Sequence, residues 1–177
     1  MVKYLMLLVV LPLALFGGNL TLKDGLIKAH TEVFGDSSIE PSVSNINADL
    51  MMNNNNLNSI NGTITFNIID LKSSNSGRDE HMEDMFEMKK YANISLKINS
   101  ITKEKNNYVI DGIMHMHGVD KPVKLSSDIS KNANDITIKS NFIVKVSDYG
   151  MQPPSLLFFT VRDAVDINAS LTLKNNI

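Results

Sequence analysis

The side chains with the clearest chemical potential are Arg78, Asp79 and His81, which fall within one short stretch of the chain. An imidazole can exchange a proton near neutral pH, a carboxylate can orient it, and a guanidinium can hold an anion. Three roles follow: catalysis by His81 and Arg78, contact of either residue with the head group of a ligand, or a helix N-terminus capped by Asp79, with Arg78 paired to a carboxylate. The cap is favoured first and the head group second. Catalysis is third, because no recognised motif places a Ser or Cys nucleophile beside these residues and Gly-x-Ser-x-Gly is absent.

A second candidate site is formed by His115 and His117, which are two residues apart and share a strand face with Asp111. Such a pair resembles the beginning of a metal site, but two imidazoles do not close one, and the other two histidines are far away in the sequence. The alternation also places this face on the outside of the sheet. We therefore predict a structural role for the pair, and neither a metal nor a cofactor.

One stretch, Arg78 to Tyr91, has clear helical character. Apolar residues recur at close to helical spacing at Met82, Met85 and Phe86, acidic residues crowd the start, and two lysines stand near the end, as the helix dipole favours. Strand-like sequence flanks the stretch on both sides. We therefore predict a helix that lies across an edge or open end of a sheet as a lid.

Most of the remaining chain alternates between apolar and polar residues. The segment from Ile60 to Ile68 alternates cleanly, whereas Leu26 to Phe34, the first strand candidate, does so imperfectly. About three such strands precede the helix and about five follow it, and strands that are apolar on one face indicate an antiparallel sheet. One helix cannot cover so wide a sheet, so the sheet must close on itself. We predict an all-β antiparallel barrel of about eight strands with one short helix between strands.

The N-terminus has the layout of a secretory signal peptide. Lys3 gives a positive start, Tyr4 to Phe16 is apolar, and Gly17-Gly18 supplies small residues for cleavage. The apolar run is shorter than the roughly 20 residues that span a membrane. We predict a signal peptide over residues 1–18, an exported domain over residues 19–177, and no stable membrane insertion after cleavage.

The composition limits both partners and stabilising devices. The chain has no Cys, so an exported domain must be stabilised by burial and not by disulfides. The formal net charge is −2, which argues against a nucleic-acid partner and against electrostatic attachment to anionic membranes.

Four segments from about Ile60 onward form a recognisable pattern: Arg78-Asp79-Glu80-His81-Met82 with Met85-Phe86 and Lys90-Tyr91; His117-Gly118-Val119-Asp120-Lys121-Pro122-Val123; Ser147-Asp148-Tyr149-Gly150-Met151; and Arg162-Asp163-Ala164-Val165-Asp166-Ile167. Through these segments, the chain resembles the YceI-like family of exported, polyisoprenoid-binding proteins. The resemblance implies a lipocalin-like barrel with a long apolar tunnel, a periplasmic location, and binding of isoprenoid or other long-chain lipids without a settled reaction. It also implies that His117 holds the turn predicted at Gly118 to Pro122. The chain departs from the family pattern at Met85, Ala92 and Asp120, where the family has Phe, Pro and Thr.

The inward faces of the predicted strands and helix are mainly apolar, so an interior cavity would suit an apolar guest. We predict a periplasmic protein that sequesters or carries a polyisoprenoid or fatty-acyl lipid, without enzymatic activity. An enzyme acting on a lipid or quinone through His81 and Arg78, a packed barrel with a surface binding role, and a homodimer remain open. The candidate ligand-binding residues are Ile64, Phe66, Ile68, Arg78, His81, Met82, Met85, Phe86, Leu96, Ile98, Ile110, Met114, Met116, Phe142, Val144, Val146, Ile167 and Leu171.

Overall fold

The alternating segments form antiparallel strands in the computed structural model, which describes residues 17–33, 37–153, 155–156 and 159–176. One α-helix lies among them in this part of the chain, together with three short 3₁₀ turns at Leu57–Ser59, Ile68–Asp70 and Val146–Tyr149. The elements are β1 (Gly17–Val33), β2 (Ser37–Ile39), β3 (Ser42–Val43), β4 (Ile46–Asn53), β5 (Asn61–Asn67), α1 (Ser76–Met85), β6 (Asn93–Glu104), β7 (Asn107–Met116), β8 (Val119–Asn132), β9 (Asp135–Lys145), β10 (Ser155–Leu156), β11 (Phe159–Thr160) and β12 (Ala164–Asn175).

Eight of these strands close into a barrel. Their order is β12-β9-β8-β7-β6-β5-β4-β1, and β1 returns to pair with β12. Every neighbouring pair in the barrel is antiparallel, which confirms the predicted fold. The short strands β2 and β3 pair with β1 beyond the point where β1 leaves β4, and β10 and β11 form a separate hairpin.

Strand β1 explains why the alternation of the first strand candidate is imperfect. The strand begins at Gly17, well before Leu26, and its register with β12 shifts between Leu22 and Asp24. Such a bulge moves the later residues to the opposite face of the strand, so Ile27 lines the interior and Leu26 faces out. The predicted signal peptide lies mainly in residues 1–16, outside the described residues, and stays a prediction; Gly17 and Gly18 are the first residues of β1.

The interior of the barrel is packed at one end and hollow at the other. At the packed end, Leu50, Met52 and Ile136 are at most 1% exposed and belong to one continuous core. At the other end, inward residues such as Phe142 and Ile167 are only partly buried and line a cavity. The interior of the barrel therefore combines a packed core at one end with an apolar cavity at the other.

Helix α1 is shorter than predicted. It begins at Ser76 and ends at Met85, and the chain turns at Glu87, where φ is +46°. A left-handed residue stops a helix, so the stretch after Met85 leads to Tyr91 in turns. The N-terminal cap is Asn75, whose side-chain oxygen accepts the backbone N–H of Arg78 at 3.0 Å. The assignment of Asp79 as the cap was therefore wrong.

The hairpin between β7 and β8 also differs from prediction. The turn consists of His117 and Gly118, both with positive φ, between the paired residues Met116 and Val119. Two positive-φ residues are typical of the tightest hairpins, whose twist matches that of the flanking strands. The predicted turn at Gly118 to Pro122 was wrong, because Pro122 already lies within β8 opposite Ile113.

Candidate functional site

The hollow half of the barrel contains a cavity of about 960 Å³ beneath helix α1. Its walls are mainly aliphatic and aromatic, and its position follows from the inward alternation of the surrounding strands. All of the residues expected to contact a ligand line it except Ile68. Strand β5 ends at Asn67, so the alternation stops there, and Ile68 is buried in the following 3₁₀ turn, outside the cavity wall.

Several further lining residues were not predicted from the sequence. Apart from Ser95, those on the regular strands follow the same alternation and could have been predicted from it. Those on β1, on the segment around β2 and β3, and on the loop before β12 depended on tertiary folding. The additional lining residues are Ile27, Ala29, Thr31, Ile39, Pro41, Leu71, Asp84, Ile94, Ser95, Leu125, Ile138, Ser140, Gln152, Pro153, Val161, Arg162, Val165 and Ala169.

Helix α1 contributes one face to the cavity. Arg78, His81, Met82 and Met85 follow the i, i+3, i+4, i+7 spacing of a single helical stripe, and all four line the cavity. The two methionines are partly buried, whereas Arg78 and His81 are exposed. The stripe thus places flexible apolar side chains over the cavity and polar ones at its rim.

The polar residues of α1 are not arranged as a catalytic pair. Asp79 accepts hydrogen bonds from the backbone N–H of Ser73 at 2.8 Å and from its hydroxyl at 2.7 Å. The Ser73 hydroxyl, with the backbone bond, lowers the pKa of the Asp79 carboxyl. Asp79 therefore ties the loop before the helix in place and does not orient His81. Among the described residues, no carboxylate lies within ion-pair distance of Arg78, so the predicted pairing was wrong.

His117 connects three segments around the mouth of the cavity. Its Nδ1 lies 3.0 Å from the carbonyl oxygen of Tyr149, and its ring contacts the ring of Tyr91 with centroids 4.6 Å apart. Nδ1 therefore donates the bond, and Nε2 faces Glu87 Oε1 at 3.6 Å. We call His117, Tyr91 and Tyr149 the clasp. It joins the β7–β8 hairpin to the turn after α1 and to the 3₁₀ turn after β9.

Two further features show that the clasp is tightly packed. A Cβ on Gly118, where φ is +74°, would lie 2.5 Å from Tyr91 Cε1, so only glycine allows this approach. Tyr149 is 3% exposed, and this burial raises the pKa of its phenol. The hairpin and the two loops therefore pack as one unit.

A second carboxylate, that of Asp163, binds the same 3₁₀ turn that contains Tyr149 of the clasp. Asp163 accepts the backbone N–H of Ser147 at 2.9 Å and its hydroxyl at 2.7 Å, and these bonds lower its pKa. The neighbouring Arg162 pairs with Asp166 through two nitrogens at 3.0 and 3.1 Å. The start of β12 is thereby attached to the end of β9.

His115 at the end of β7 and His117 in the following turn have separate partners. His115 lies on the outer face with Nδ1 2.6 Å from Asp120, whereas His117 is held in the clasp. Asp111 pairs instead with Lys124 at 3.1 Å. Across the described ranges, no group of three or more His, Cys, Asp or Glu side chains is arranged to hold a metal ion.

Comparison with known proteins agrees with this architecture. The sequence pattern of the YceI-like domain matches residues 25–173. The chain belongs to the YceI-like family. Its segments that resemble the family motifs hold the mouth: Asp79, His117, Tyr149 and Asp163 make the contacts described above.

Individual YceI-like relatives are distant. The UPF0312 protein plu2095 of Photorhabdus laumondii is 30% identical over 74 residues, which covers 41% of this chain and only 38% of that protein. BcnA of Burkholderia cenocepacia has a TM-score of 0.73 at 15% identity, over 84% of this chain and 95% of its own. A polyisoprenoid binding domain from Saccharophagus degradans has a TM-score of 0.62 at 11% identity, over 91% and 99%. The Campylobacter jejuni YceI protein has a TM-score of 0.57 at 17% identity, over 100% and 91%. At such identities, the solved structures establish the shared fold.

Proposed function

We propose that this protein binds one long-chain apolar lipid, a polyisoprenoid or a fatty-acyl chain, inside the barrel, and that it sequesters or carries this lipid in the periplasm. The apolar cavity of about 960 Å³ carries the proposal. Its size is at the upper end of the range of about 300–1,000 Å³ for small-molecule sites. Water is held only weakly in such a space, because a buried water molecule needs several polar hydrogen-bond partners.

Burial of the lipid's hydrocarbon chain, and not specific polar contacts, supplies most of the binding free energy in this proposal. Each buried methylene contributes about 0.8 kcal/mol, so a dozen contribute roughly 10 kcal/mol before the cost of association. Met82, Met85 and Met114 can repack around chains of different shape. The name of the Saccharophagus degradans domain, which has the same fold, adds support for an isoprenoid ligand.

We propose binding without catalysis. Asp79 is occupied by Ser73, and the cavity-lining His81 is exposed at the rim. Substitution His81→Ala tests this directly: an enzyme would lose turnover of its lipid or quinone, whereas a carrier would retain its bound lipid.

The proposed location follows from the predicted signal peptide. Cell fractionation combined with N-terminal sequencing should find a periplasmic protein that lacks about the first 18 residues. Deletion of residues 2–16 should retain the protein in the cytoplasm. Periplasmic recovery of that deletion variant would contradict the assignment. Within the described residues, no helix is long and apolar enough to cross a membrane.

Lipid binding is tested by native mass spectrometry of protein purified from exported material, followed by solvent extraction and identification of what is released. Stoichiometric long-chain lipid is the expected result. Met114→Trp should lower lipid occupancy, because Met114 lines the cavity, whereas the matched variant Ile113→Trp should retain it, because Ile113 is 36% exposed on the outer face. An unliganded mass that stays unchanged after incubation with prenyl and fatty-acyl lipids would overturn the proposal.

A further inference from the structure

One buried hydroxyl group lines the apolar cavity where the cavity adjoins the packed core. Ser140 on β9 is 6% exposed and belongs to the inward row that also contains Ile138 and Phe142, and all three residues line the cavity. Ile138 is part of the continuous core, whereas Phe142 is only partly buried. A hydroxyl at such a position needs a hydrogen-bond partner, because burial removes it from bulk water.

The partner of Ser140 is a second buried serine. Ser127 lies directly opposite on β8 and is 2% exposed, and the two Oγ atoms are 2.7 Å apart. Ser127 Oγ also lies 3.4 Å from the carbonyl oxygen of Leu125, which is long for a hydrogen bond between two oxygens. We call Ser127 and Ser140 the serine pair. Of the two, Ser140 lines the cavity.

The serine pair retains hydrogen-bonding capacity on its cavity side. A hydroxyl group can donate one hydrogen bond and accept two. If Ser127 donates to Ser140, the proton of Ser140 has no partner among the described residues; if Ser140 donates, its own lone pairs stay open. Ser140 can therefore donate to a carbonyl oxygen or accept from a hydroxyl group. Thirteen-stranded alternatives are not needed to satisfy it: Thr31, the other buried polar residue of the described wall, already donates to the carbonyl oxygen of Arg162 at 3.2 Å.

We propose that the serine pair is a subsite for a neutral oxygen of the lipid, a hydroxyl or a carbonyl, and that the lipid lies with this polar end innermost. The inference rests on the proposed lipid-binding function and specifies its ligand class. Ser140 lies four residues from Val144, which packs in the hydrophobic cluster that includes Phe86 after α1. At about 3.3 Å per residue, the subsite is about 13 Å farther along the strand, toward the packed core.

The surroundings of the serine pair favour a neutral group over an ionised one. Its inward neighbours on β8 and β9 are uncharged: Leu125, Ile129, Ile138 and Phe142. A carboxylate or phosphate buried there would have no cation to compensate for its lost hydration, so its affinity would be low. The hydrocarbon chain of an alcohol or carbonyl lipid fills the rest of the cavity, and the part of a longer chain that does not fit leaves through the mouth.

The experiment compares three ligands that share one branched carbon skeleton: the prenol farnesol, the corresponding hydrocarbon without oxygen, and farnesoic acid, which is ionised at neutral pH. Their affinities for the exported protein are measured by displacement of a fluorescent apolar probe, below the concentrations at which the ligands aggregate. The decisive quantity is the ratio of the affinity for farnesol to the affinity for the hydrocarbon, because this ratio cancels the burial that both ligands share.

Two serine variants separate contact with the ligand from packing of the barrel. Ser140→Ala should lower the ratio by about five- to tenfold, because it removes the hydroxyl that pairs with farnesol. Ser127→Ala removes the same bond between the serines but leaves the Ser140 hydroxyl in the wall. Its ratio should stay within about twofold of the native value. Retained affinity for the hydrocarbon shows that both variants are folded.

Farnesoic acid tests the orientation of the ligand. Its affinity should change by less than about twofold in Ser140→Ala, because its carboxylate stays in water at the mouth. An unchanged ratio in Ser140→Ala, an equal loss in Ser127→Ala, or an equal loss for the acid would overturn the serine-pair inference while lipid binding stood. Failure of all three ligands to bind native protein would instead overturn the proposed function itself.

Discussion

Single residues around the mouth have structural roles that their chemistry alone does not reveal. An imidazole such as that of His117 is able to bind a metal or to exchange a proton. In this protein, the ring instead contacts Tyr91 and the backbone of Tyr149. The ring of His115, two residues earlier, is exposed and contacts the exposed side chain of Asp120. The same residue type therefore stabilises the fold at one position and contributes little at the other, because burial removes the competition from water.

Substitution His117→Ala should lower the free energy of unfolding by about 2–3 kcal/mol, because it removes a partly buried hydrogen bond and an aromatic contact. His115→Ala should cost less than about 1 kcal/mol, because its contact is solvent-exposed. Urea denaturation of both variants measures the difference. Equal losses for the two histidines would contradict the role assigned to the clasp.

Gly118→Ala should destabilise the protein by about 2 kcal/mol or more, because the left-handed backbone is unfavourable for alanine and the new methyl group would meet Tyr91. Gly77→Ala provides a matched control of opposite sign. Gly77 lies within α1, and a Cβ there meets nothing closer than 3.5 Å, so alanine should stabilise the helix by up to about 1 kcal/mol. Thermal unfolding monitored by circular dichroism would show the opposite shifts.

At the scale of elements, the lid is held by its connections and not by its own helical stability. Helix α1 has ten residues, which is too short to be stable alone. Its start is fixed by the Asn75 cap and the Asp79–Ser73 bonds, and the turn after it is fixed by the clasp. The 3₁₀ turn that contains Tyr149 is also held by the hydrogen bond from Ser147 to Asp163.

These two carboxylates predict a dependence of stability on pH. The pKa of both Asp79 and Asp163 is lower in the folded protein than the ordinary value of 3.8. Their stabilising contribution is therefore complete above the unfolded pKa and is lost as the pH falls through the folded pKa. Asp79→Asn and Asp163→Asn should be less stable than the native protein at pH 6, and the difference should shrink below about pH 4.

Denaturation of native and variant proteins at several pH values between about 3 and 7 measures this dependence. Asp128→Asn, at an exposed position of β8, is the control for loss of a charge. A difference between Asp79→Asn and the native protein that remained constant down to about pH 3 would show that the carboxylate does not act through its hydrogen bonds to Ser73.

At the scale of the whole molecule, the barrel divides its interior between stability and binding. The packed half supplies the burial that a chain without Cys requires, and the hollow half leaves apolar surface that folding does not cover. A ligand completes this second half of the core. Binding and folding stability should consequently be linked.

A fatty acid that fits the cavity should raise stability by about 2.7 kcal/mol at 100 times its dissociation constant. For a chain of this size, the increase corresponds to a melting temperature higher by roughly 5–10 °C. Met114→Trp should show little of this ligand-dependent shift, while Ile113→Trp should show all of it. Thermal shift assays with increasing ligand test both, and an equal shift in the two variants would place the ligand outside the cavity.

Sequence alone was sufficient for the fold class and for about half of the residues that line the cavity. Period-two alternation directly reports which side chains face inward, so it correctly assigns Phe66, Leu96 and Phe142 to the interior. The same rule failed where the backbone departs from regular strand geometry. The end of β5 removes Ile68 from the wall, and the bulge in β1 accounts for the imperfect alternation of the segment that starts at Leu26.

Tertiary structure alone decided which part of the interior is hollow and which roles the motif residues have. Alternation cannot separate a packed interior from a hollow one, because inward residues are apolar in both, and only three-dimensional packing shows that Leu125 and Ile138 belong to the core and also line the cavity. The sequence determined that a barrel forms and which face is apolar, since local periodicity is a property of neighbouring residues. The contacts of His117 with Tyr91 and Tyr149 join residues far apart in the chain, so their existence depended on how the loops meet at the mouth.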